Sequence, residues 1–251
     1  MKQIMYESLR RLHGVKHCIS EQDDERPLAG SLALHTGQNV DQVRSNRREI
    51  ASYFGAEAHF ISALQVHGDH VHVVGKRSSR GWTEVDASLQ ADALITNLSG
   101  VVLTILTADC VPLLIADPVH RAIGAVHAGW RGTQQEIVRK TVETMGRLYG
   151  THPTDLVVGI GPAIGGCCYE VGEDVVENFT AYPQAIVAKG NGKYLLDTKQ
   201  INALQLEALG VPTDQIEISP VCTACEHERF FSYRADGGTA GRFMSCIMLQ
   251  N

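Results

Sequence analysis

Three short apolar segments of this chain each run directly into a side chain that can bind a soft metal ion. The segments cover residues 61–66, 101–109 and 122–126, and the side chains that follow them are His67, Cys110 and His127. A glycine or proline comes soon after each one, which is typical of a buried β-strand that ends in a turn. Because strands that end together place their last residues on one rim of a sheet, we expect the three side chains to lie close together.

Two imidazoles and one thiolate are ligands that zinc prefers, and a set of three leaves a fourth position open for water or substrate, as in catalytic zinc sites. The intervals of 43 and 17 residues between the ligands exclude a zinc finger or ribbon. Each residue taken singly has a simpler interpretation, because lone histidines and free cysteines are often just buried in a core. Asp109 beside Cys110 is a partner for a ligand histidine, a proton acceptor or an Asx turn, and the sequence leaves these alternatives open.

A second candidate site follows the third apolar segment. Residues 127–132 read His-Ala-Gly-Trp-Arg-Gly, and a helix predicted over 133–149 begins directly after them, with Thr133 and Glu136 as a capping box. The first turn of a helix attracts anions, and Arg131 adds a two-pronged donor, so we predict a phosphate or carboxylate site here. The alternative is a tight strand–helix turn with Trp130 in the core.

Hydrophobic periodicity predicts a chain of alternating strands and helices. The predicted helices are 40–54, 133–149, 173–180 and 201–209, and the predicted strands are 31–36, 61–67, 71–74, 101–107, 113–116, 122–127 and 156–160. Gly55, Gly150 and Gly210 mark helix ends. Because there is no repeat, low-complexity tract or linker, we predict one domain over residues 1–251.

Composition and charge exclude several classes of protein. The net charge of −6 argues against a general nucleic-acid binder, and no segment reaches the roughly 18–20 apolar residues that span a membrane. The N-terminal residues lack the apolar core of a secretory signal, so we expect a cytoplasmic protein. Seven scattered cysteines do not form a disulfide framework, and the Cys222-Thr-Ala-Cys225 pair, without a second pair nearby, is interpreted as two loop thiols. Zinc deaminases carry a His-x-Glu signature that this sequence lacks.

The combined motifs resemble the laccase-domain family. They are Gln65-Val-His-Gly68, Thr107-Ala-Asp-Cys-Val-Pro112, the 127–132 segment, Gly161-Pro-Ala-Ile-Gly165 with Tyr169-Glu-Val-Gly172, and Cys222-Thr with Phe231-Ser-Tyr-Arg234 and Gly241-Arg242. Members are also named multicopper polyphenol oxidases, zinc-dependent purine nucleoside phosphorylases and peptidoglycan editing factors. Near the N-terminus this chain departs from the family: residues 19–26 replace a Ser-Thr-Arg-x-Gly-Gly loop, and Ala33 stands where an asparagine is usual.

The resemblance implies an α/β fold, layered, with mixed β-sheets flanked by helices. It implies Zn²⁺, or alternatively Cu²⁺, held by His67, Cys110 and His127. The implied activity is phosphorolysis of adenosine, inosine and methylthioadenosine, with adenosine deamination alongside, so the partners are purine nucleosides and phosphate. On this basis we predict catalytic roles for Asp109, Cys110 and Arg131, and substrate binding by Arg47, Arg131, Arg234 and Arg242.

Other functions stay open at this point. Cys110 as nucleophile with His127 as base would make a cysteine hydrolase or amidase, for which His67 is surplus. A role in policing cell-wall precursors would not depend on the metal at all. A multicopper oxidase is disfavoured, because the chain has only one His-x-His pair, His70-Val-His72, and one His-Cys-His set can hold a single copper.

Overall fold

Two stacked sheets and a smaller third sheet make up the computed structural model, which describes residues 1–238 and 241–251. Strands are numbered in chain order. The first sheet has the order β1 (Gln3–Ile4), β2 (Val15–Ser20), β14 (Phe243–Leu249), β6 (Val101–Thr107), β3 (His59–Ser62). The second has the order β13 (Ile216–Ile218), β9 (Val157–Ile160), β7 (Val111–Asp117), β8 (Ala122–Ala128), β5 (Ala93–Thr96), β4 (Val71–Val73). The small sheet has the order β10 (Glu170–Gly172), β12 (Lys193–Leu196), β11 (Ile186–Gly190).

Helices cover the outer faces of the two large sheets. The α-helices are α1 (Glu7–Arg10), α2 (Val40–Phe54), α3 (Trp130–Gln134), α4 (Ile137–Tyr149), α5 (Glu173–Val176) and α6 (Thr198–Leu209). Helix α2 packs on the first sheet, whereas α4 and α6 pack on the second. Both large sheets combine parallel and antiparallel pairs, which confirms the predicted layered α/β class. Among the described residues, no helix is both long and apolar enough to cross a membrane.

The central strands are mostly apolar because both of their faces are covered. Every residue of β6, β7 and β8 is buried. Leu103 of β6 packs against Leu114 of β7 between the sheets, while Val126 of β8 faces the helix layer. A strand covered on both sides reads as a continuous apolar run and not as an alternation. The predicted strands at these three places are confirmed: the first has the predicted bounds, and the ends of the other two differ by at most two residues.

The strand predicted over residues 31–36 is wrong, because no described strand lies there. Side chains of α2 satisfy its backbone groups instead: the Asn46 amide donates to the Ser31 carbonyl at 3.0 Å, and the Arg47 Nε donates to the Leu32 carbonyl at 2.9 Å. A segment whose carbonyls accept from side chains does not need a neighbouring strand.

The helix predicted over 133–149 is in fact two helices, α3 and α4, separated at Glu136. The backbone of Glu136 is left-handed, with φ 54° and ψ 45°, so the predicted capping box does not form. Thr133 lies inside α3, where its hydroxyl accepts from Asn202 at 3.0 Å and its carbonyl accepts from Gln205 at 2.9 Å. Contacts from α6 therefore override the local capping signal. The predicted end at Gly150 is confirmed.

The other predicted helices are present. Helix α2 begins after Asn39, whose side chain caps it, and ends at Gly55. Helix α6 begins three residues earlier than predicted, because Asp197 accepts from the Gln200 N–H at 3.0 Å, and it ends at Gly210. The segment 173–180 forms the short α5 followed by one 3₁₀ turn.

Candidate metal centre and cavity

His67, Cys110 and His127 meet at the junction between the two large sheets. Their potential ligand atoms all lie within 4.8 Å of one another, and the two imidazole rings are 4.8 Å apart at 82°. Cys110 lies in the turn from β6 to β7, which belong to different sheets, and His127 lies within β8. His67 lies in the loop after β3 with a left-handed φ of 60°. The predicted convergence is confirmed, but the expected single rim of one sheet is wrong.

Asp92, which the sequence analysis missed, holds two of these ligands in place. Its fully buried carboxylate accepts the ring Nδ1–H of His127 at 2.8 Å and the backbone N–H of His67 at 2.9 Å through Oδ1. Its Oδ2 accepts the Gly68 N–H at 2.8 Å. Because Asp92 occupies Nδ1, Nε2 is the ring nitrogen of His127 that is left for a metal ion.

The thiol of Cys110 is poised as a thiolate. Burial alone would raise its pKa, but His127 and His67 outweigh burial and lower the pKa of Cys110 to about 6. For His127 the effects have the opposite sign. Burial lowers the pKa of this imidazole, but Cys110 and Asp92 outweigh burial and raise the pKa to about 9. Since the thiolate is the form that binds zinc, the protein favours the ligating state of Cys110 near neutral pH.

A glycine beside the centre makes room for the ligands. A Cβ atom on Gly129 would lie 3.1 Å from Cδ2 of His67 and 3.3 Å from Sγ of Cys110. A side chain here would therefore press on two ligands at once. This requirement for space explains why residue 129, two positions after His127, is a glycine.

The ligands open into a cavity of about 510 Å³, which is within the usual size range of small-molecule sites. Its wall also includes His35, Gln65, Trp130, Tyr169, Tyr233, Arg234 and Arg242. Both amide atoms of Gln65 bond the backbone of Leu106, at 2.7 and 2.8 Å, which fixes this side chain against β6. The cavity thus combines aromatic faces, cations and a potential metal centre.

Asp109 lies on the cavity wall and is held by three donors. Its carboxylate accepts the hydroxyls of Thr223 and Ser232 and the backbone N–H of Arg234, each at 2.7 Å. Asp109 has a left-handed φ of 86°, which turns the chain between β6 and Cys110. The carboxylate partner of the ligand His127 is Asp92, so the first of the open alternatives for Asp109, a partner for a ligand histidine, is wrong for His127.

The four predicted arginines are not brought together. Arg234 and Arg242 line the cavity: the Arg234 guanidinium lies over Tyr169 and that of Arg242 over Tyr233. Arg131 is exposed on the short helix α3 and stacks on Trp130, but it is not among the described cavity-lining residues. The long helix α4 begins only at Ile137, six residues after Arg131. Arg131 therefore does not lie at the N-terminus of the long helix, where the anion site was expected.

Arg47 lies away from the cavity wall. It is buried, and its guanidinium donates to the backbone carbonyls of Leu32, Gly81 and Trp82 at 2.8–2.9 Å. Burial lowers the pKa of Arg47 to about 10. This placement argues against the predicted substrate contact and indicates a structural role in tying two loops to α2.

His35 is a second residue that sequence reasoning missed. It lines the cavity, and partial burial together with the nearby Arg242 lowers its pKa below the ordinary value. One sequence signal is available, because His35 lies two residues after Ala33, the position at which this chain departs from the family it resembles. The strand predicted over residues 31–36 includes His35 and assigns it no role.

Donor chemistry supports a metal ion at the triplet. One ionised thiolate and two imidazoles, one of them oriented by a buried carboxylate, match the ligand types and supporting contacts of zinc sites. His67 is exposed and lines the cavity together with Cys110 and His127, so the triplet is accessible from the cavity. The residues therefore fit a metal of the zinc type.

The general class of this chain is thus a layered α/β domain in which a His-Cys-His set lines a small-molecule cavity. The family model described as multi-copper polyphenol oxidoreductase laccase matches residues 25–250, and the chain belongs to this family. A Geobacillus stearothermophilus relative named purine nucleoside phosphorylase YlmD is 38% identical over 235 residues, which cover 90% of this chain and 85% of the relative. A Deinococcus radiodurans relative named purine nucleoside phosphorylase is 39% identical, covering 87% and 85%.

Solved structures show the same fold. The crystal structure of a Bacillus licheniformis protein described as hypothetical protein YfiH is similar with a TM-score of 0.89 and 33% identity, covering 94% of this chain and 93% of the other. The crystal structure of YlmD from Geobacillus stearothermophilus has a TM-score of 0.88 and 33% identity, covering 98% and 94%.

Proposed function

We propose that this protein is a zinc-dependent purine nucleoside phosphorylase acting on adenosine, inosine and methylthioadenosine, with adenosine deamination as a side activity. The observation that carries the proposal is the meeting, in one cavity, of the supported His-Cys-His set with Arg234 and Arg242. The names of the relatives support it.

The cavity residues divide the work of phosphorolysis, in which the C1′–N bond of the nucleoside breaks and a C1′–O bond to phosphate forms. Arg234 and Arg242 bind phosphate, because guanidinium groups match its paired oxygens. The rings of Tyr169 and Tyr233 offer faces on which a purine stacks. A bound zinc ion supplies Lewis-acid polarisation and charge stabilisation.

Two wall residues are placed to handle protons. Asp109 is held in one orientation by its three donors, and it lines the cavity together with Cys110. His35, with its lowered pKa, is a neutral imidazole near pH 7 and can both give and accept a proton. We assign to these two groups the proton exchange with the departing base, or with water in deamination.

The test is chromatography of the products that zinc-loaded protein forms from adenosine and inosine, with and without phosphate. We expect free base and ribose 1-phosphate only when phosphate is present, and loss of both in Cys110→Ala. Cys18→Ala, a buried cysteine in the first sheet, is the matched control and keeps activity. Failure to release base in the presence of phosphate would overturn the proposal. Inosine that forms from adenosine faster than free base does, with phosphate present, would identify deamination as the main reaction.

A cysteine-dependent amidase acting on cell-wall precursors is the second candidate, since the thiolate–imidazolium pairing of Cys110 with His127 favours it. Cleavage of muropeptide amides by chelator-treated protein, abolished by alkylation of Cys110, is the expected result for this activity. If amide cleavage requires added zinc or is not detected, the cysteine-nucleophile mechanism is excluded.

A further inference from the structure

Four cysteines form a second group of soft ligands outside the cavity. Cys167, Cys168, Cys222 and Cys225 have Sγ atoms that all lie within 4.8 Å of one another. The closest sulfurs are Cys168 and Cys225 at 3.3 Å, followed by Cys167 and Cys225 at 3.7 Å. From the sequence alone, Cys222 and Cys225 are predicted to be loop thiols, because no second cysteine pair lies nearby in the chain. The fold brings Cys167 and Cys168 to them from a turn more than 50 residues earlier.

Backbone contacts draw the two cysteine loops together. Ala163 forms a bridge with Cys222, and the Thr223 N–H donates to the Ala163 carbonyl at 3.0 Å. Gly165 stands between the pairs, since a Cβ atom there would lie 3.3 Å from Sγ of Cys167 and 3.3 Å from Cβ of Cys222. A side chain at residue 165 would therefore crowd both cysteine loops, and glycine allows them to lie close together.

One backbone N–H group and one buried cation lie where they can stabilise negative charge at these sulfurs. The Gly165 N–H donates to Sγ of Cys222 at 3.2 Å. Lys199 is buried beside the cluster, where its ammonium donates to the carbonyls of Ser219 and Val221 at 2.9 and 2.8 Å.

We propose that Cys167, Cys168, Cys222 and Cys225 bind one zinc ion as a closed tetrathiolate site. Four thiolates complete the tetrahedral shell of zinc and leave no position for substrate, which is the pattern of a structural site. An N–H donor to one sulfur and a nearby ammonium offset part of the excess negative charge of such a complex. This site is independent of the His67–Cys110–His127 set and of the activity proposed for it.

The second zinc ion clamps the two loops that support the cavity. Thr223 lies between the two later cysteines and donates to Asp109 at 2.7 Å. Tyr169 directly follows Cys168 and lines the cavity. Binding at the four sulfurs therefore fixes one donor to Asp109 and one aromatic wall, although no cysteine of the cluster is in the described cavity lining.

The number of zinc ions bound per chain, in the wild type and in variants, distinguishes the two sites. We expect about two zinc ions per chain in protein purified under reducing conditions, about one in Cys110→Ser, about one in Cys225→Ser and close to none in the double variant, as counted by mass spectrometry of the metal. Cys18→Ala is the control and keeps both ions. No more than one ion in the wild type together with none in Cys110→Ser would overturn the proposal.

A spectroscopic measurement covers the case in which Cys225→Ser does not fold. Cobalt added to metal-free Cys110→Ser should give the intense sulfur-to-metal charge-transfer bands of a four-thiolate centre, and zinc should abolish them. Weak bands typical of nitrogen and oxygen ligands would contradict the proposal. So would intact-mass evidence, under non-reducing conditions, that these cysteines form disulfides in protein that binds no cobalt.

Discussion

Asp92 is a single buried carboxylate that orients one metal ligand and anchors the loop of another. The strand register places it: Ala93 of β5 pairs with Val126 of β8 in an antiparallel pair, so Asp92, which precedes Ala93, lies beside His127, which follows Val126. Local sequence does not determine the register between two strands. The apolar runs therefore predicted the ligands but could not predict that Asp92 lies beside one of them. The ligands themselves could be predicted because each combines a metal-binding side chain with a strand end.

Asp92→Asn should weaken zinc binding by about 10–100-fold. The amide can donate to Nδ1 of His127, which moves the ring proton to Nε2, where the metal would bind. Competition with a zinc chelator measures the affinity. Asp69→Asn is the control, since Asp69 is a surface partner of Lys140. Equal affinity in wild type and Asp92→Asn would show that the carboxylate does not orient the ligand.

The thiolate at Cys110 makes a pH prediction for the metal-free protein. Because the pKa of Cys110 is lowered to about 6, the thiolate persists down to that pH and is lost below it. Alkylation by iodoacetamide, followed by peptide mapping at Cys110, should therefore be half-maximal near pH 6 and fall about tenfold per pH unit below it. His127→Gln should move the midpoint upward. A wild-type midpoint near the ordinary thiol pKa would contradict the pairing.

Helices and strands with strong local signals follow the sequence closely. Strands β6, β7 and β8 could be predicted because continuous apolar runs are required where both faces are covered, and helices α2, α4 and α6 each end at the glycine that was predicted. The predictions of a strand over 31–36 and of a single helix over 133–149 are wrong for the same reason. In both, side chains distant in sequence satisfy the groups that a local reading assigned to a strand or cap.

The break between α3 and α4 can be tested with two substitutions at Glu136. Both Glu136→Gly and Glu136→Ala remove the ion pair with Arg139, but only glycine adopts the left-handed backbone without strain. We expect the glycine variant to be more stable than the alanine variant by about 1 kcal/mol in denaturant unfolding. A continuous helix would reverse the order, because alanine is the better helix former.

Across the whole molecule, the cavity joins residues that come from distant parts of the chain. The potential metal ligands lie before residue 128, whereas Tyr233, Arg234 and Arg242 come from the segment leading into β14. Sequence motifs predicted the members of this set, but only the stacking of two sheets decides which arginines reach the cavity. Arg47 and Arg131 carry the same side chain as Arg242 and differ from it by position alone.

Arg242→Met should therefore raise the KM for phosphate by about 10–100-fold, because a charge-assisted hydrogen bond worth about 1.5–3 kcal/mol is lost. Arg131→Met is the matched comparison and should change this KM much less, since Arg131 is exposed outside the cavity lining. Steady-state kinetics with varied phosphate and saturating inosine measure both values. A larger effect at Arg131 would restore it as the phosphate ligand.

The central position of β14 sets an order of events during synthesis. This strand joins β2 to β6, so the first sheet stays divided until residues 243–249 have been made. All three donors of the cavity metal leave the ribosome more than about 100 residues earlier, an interval of roughly 5–20 seconds at ordinary translation rates. A nascent chain can thus meet metal ions while its binding pocket is half built, and which ion it acquires depends on the free metal around the ribosome in that interval.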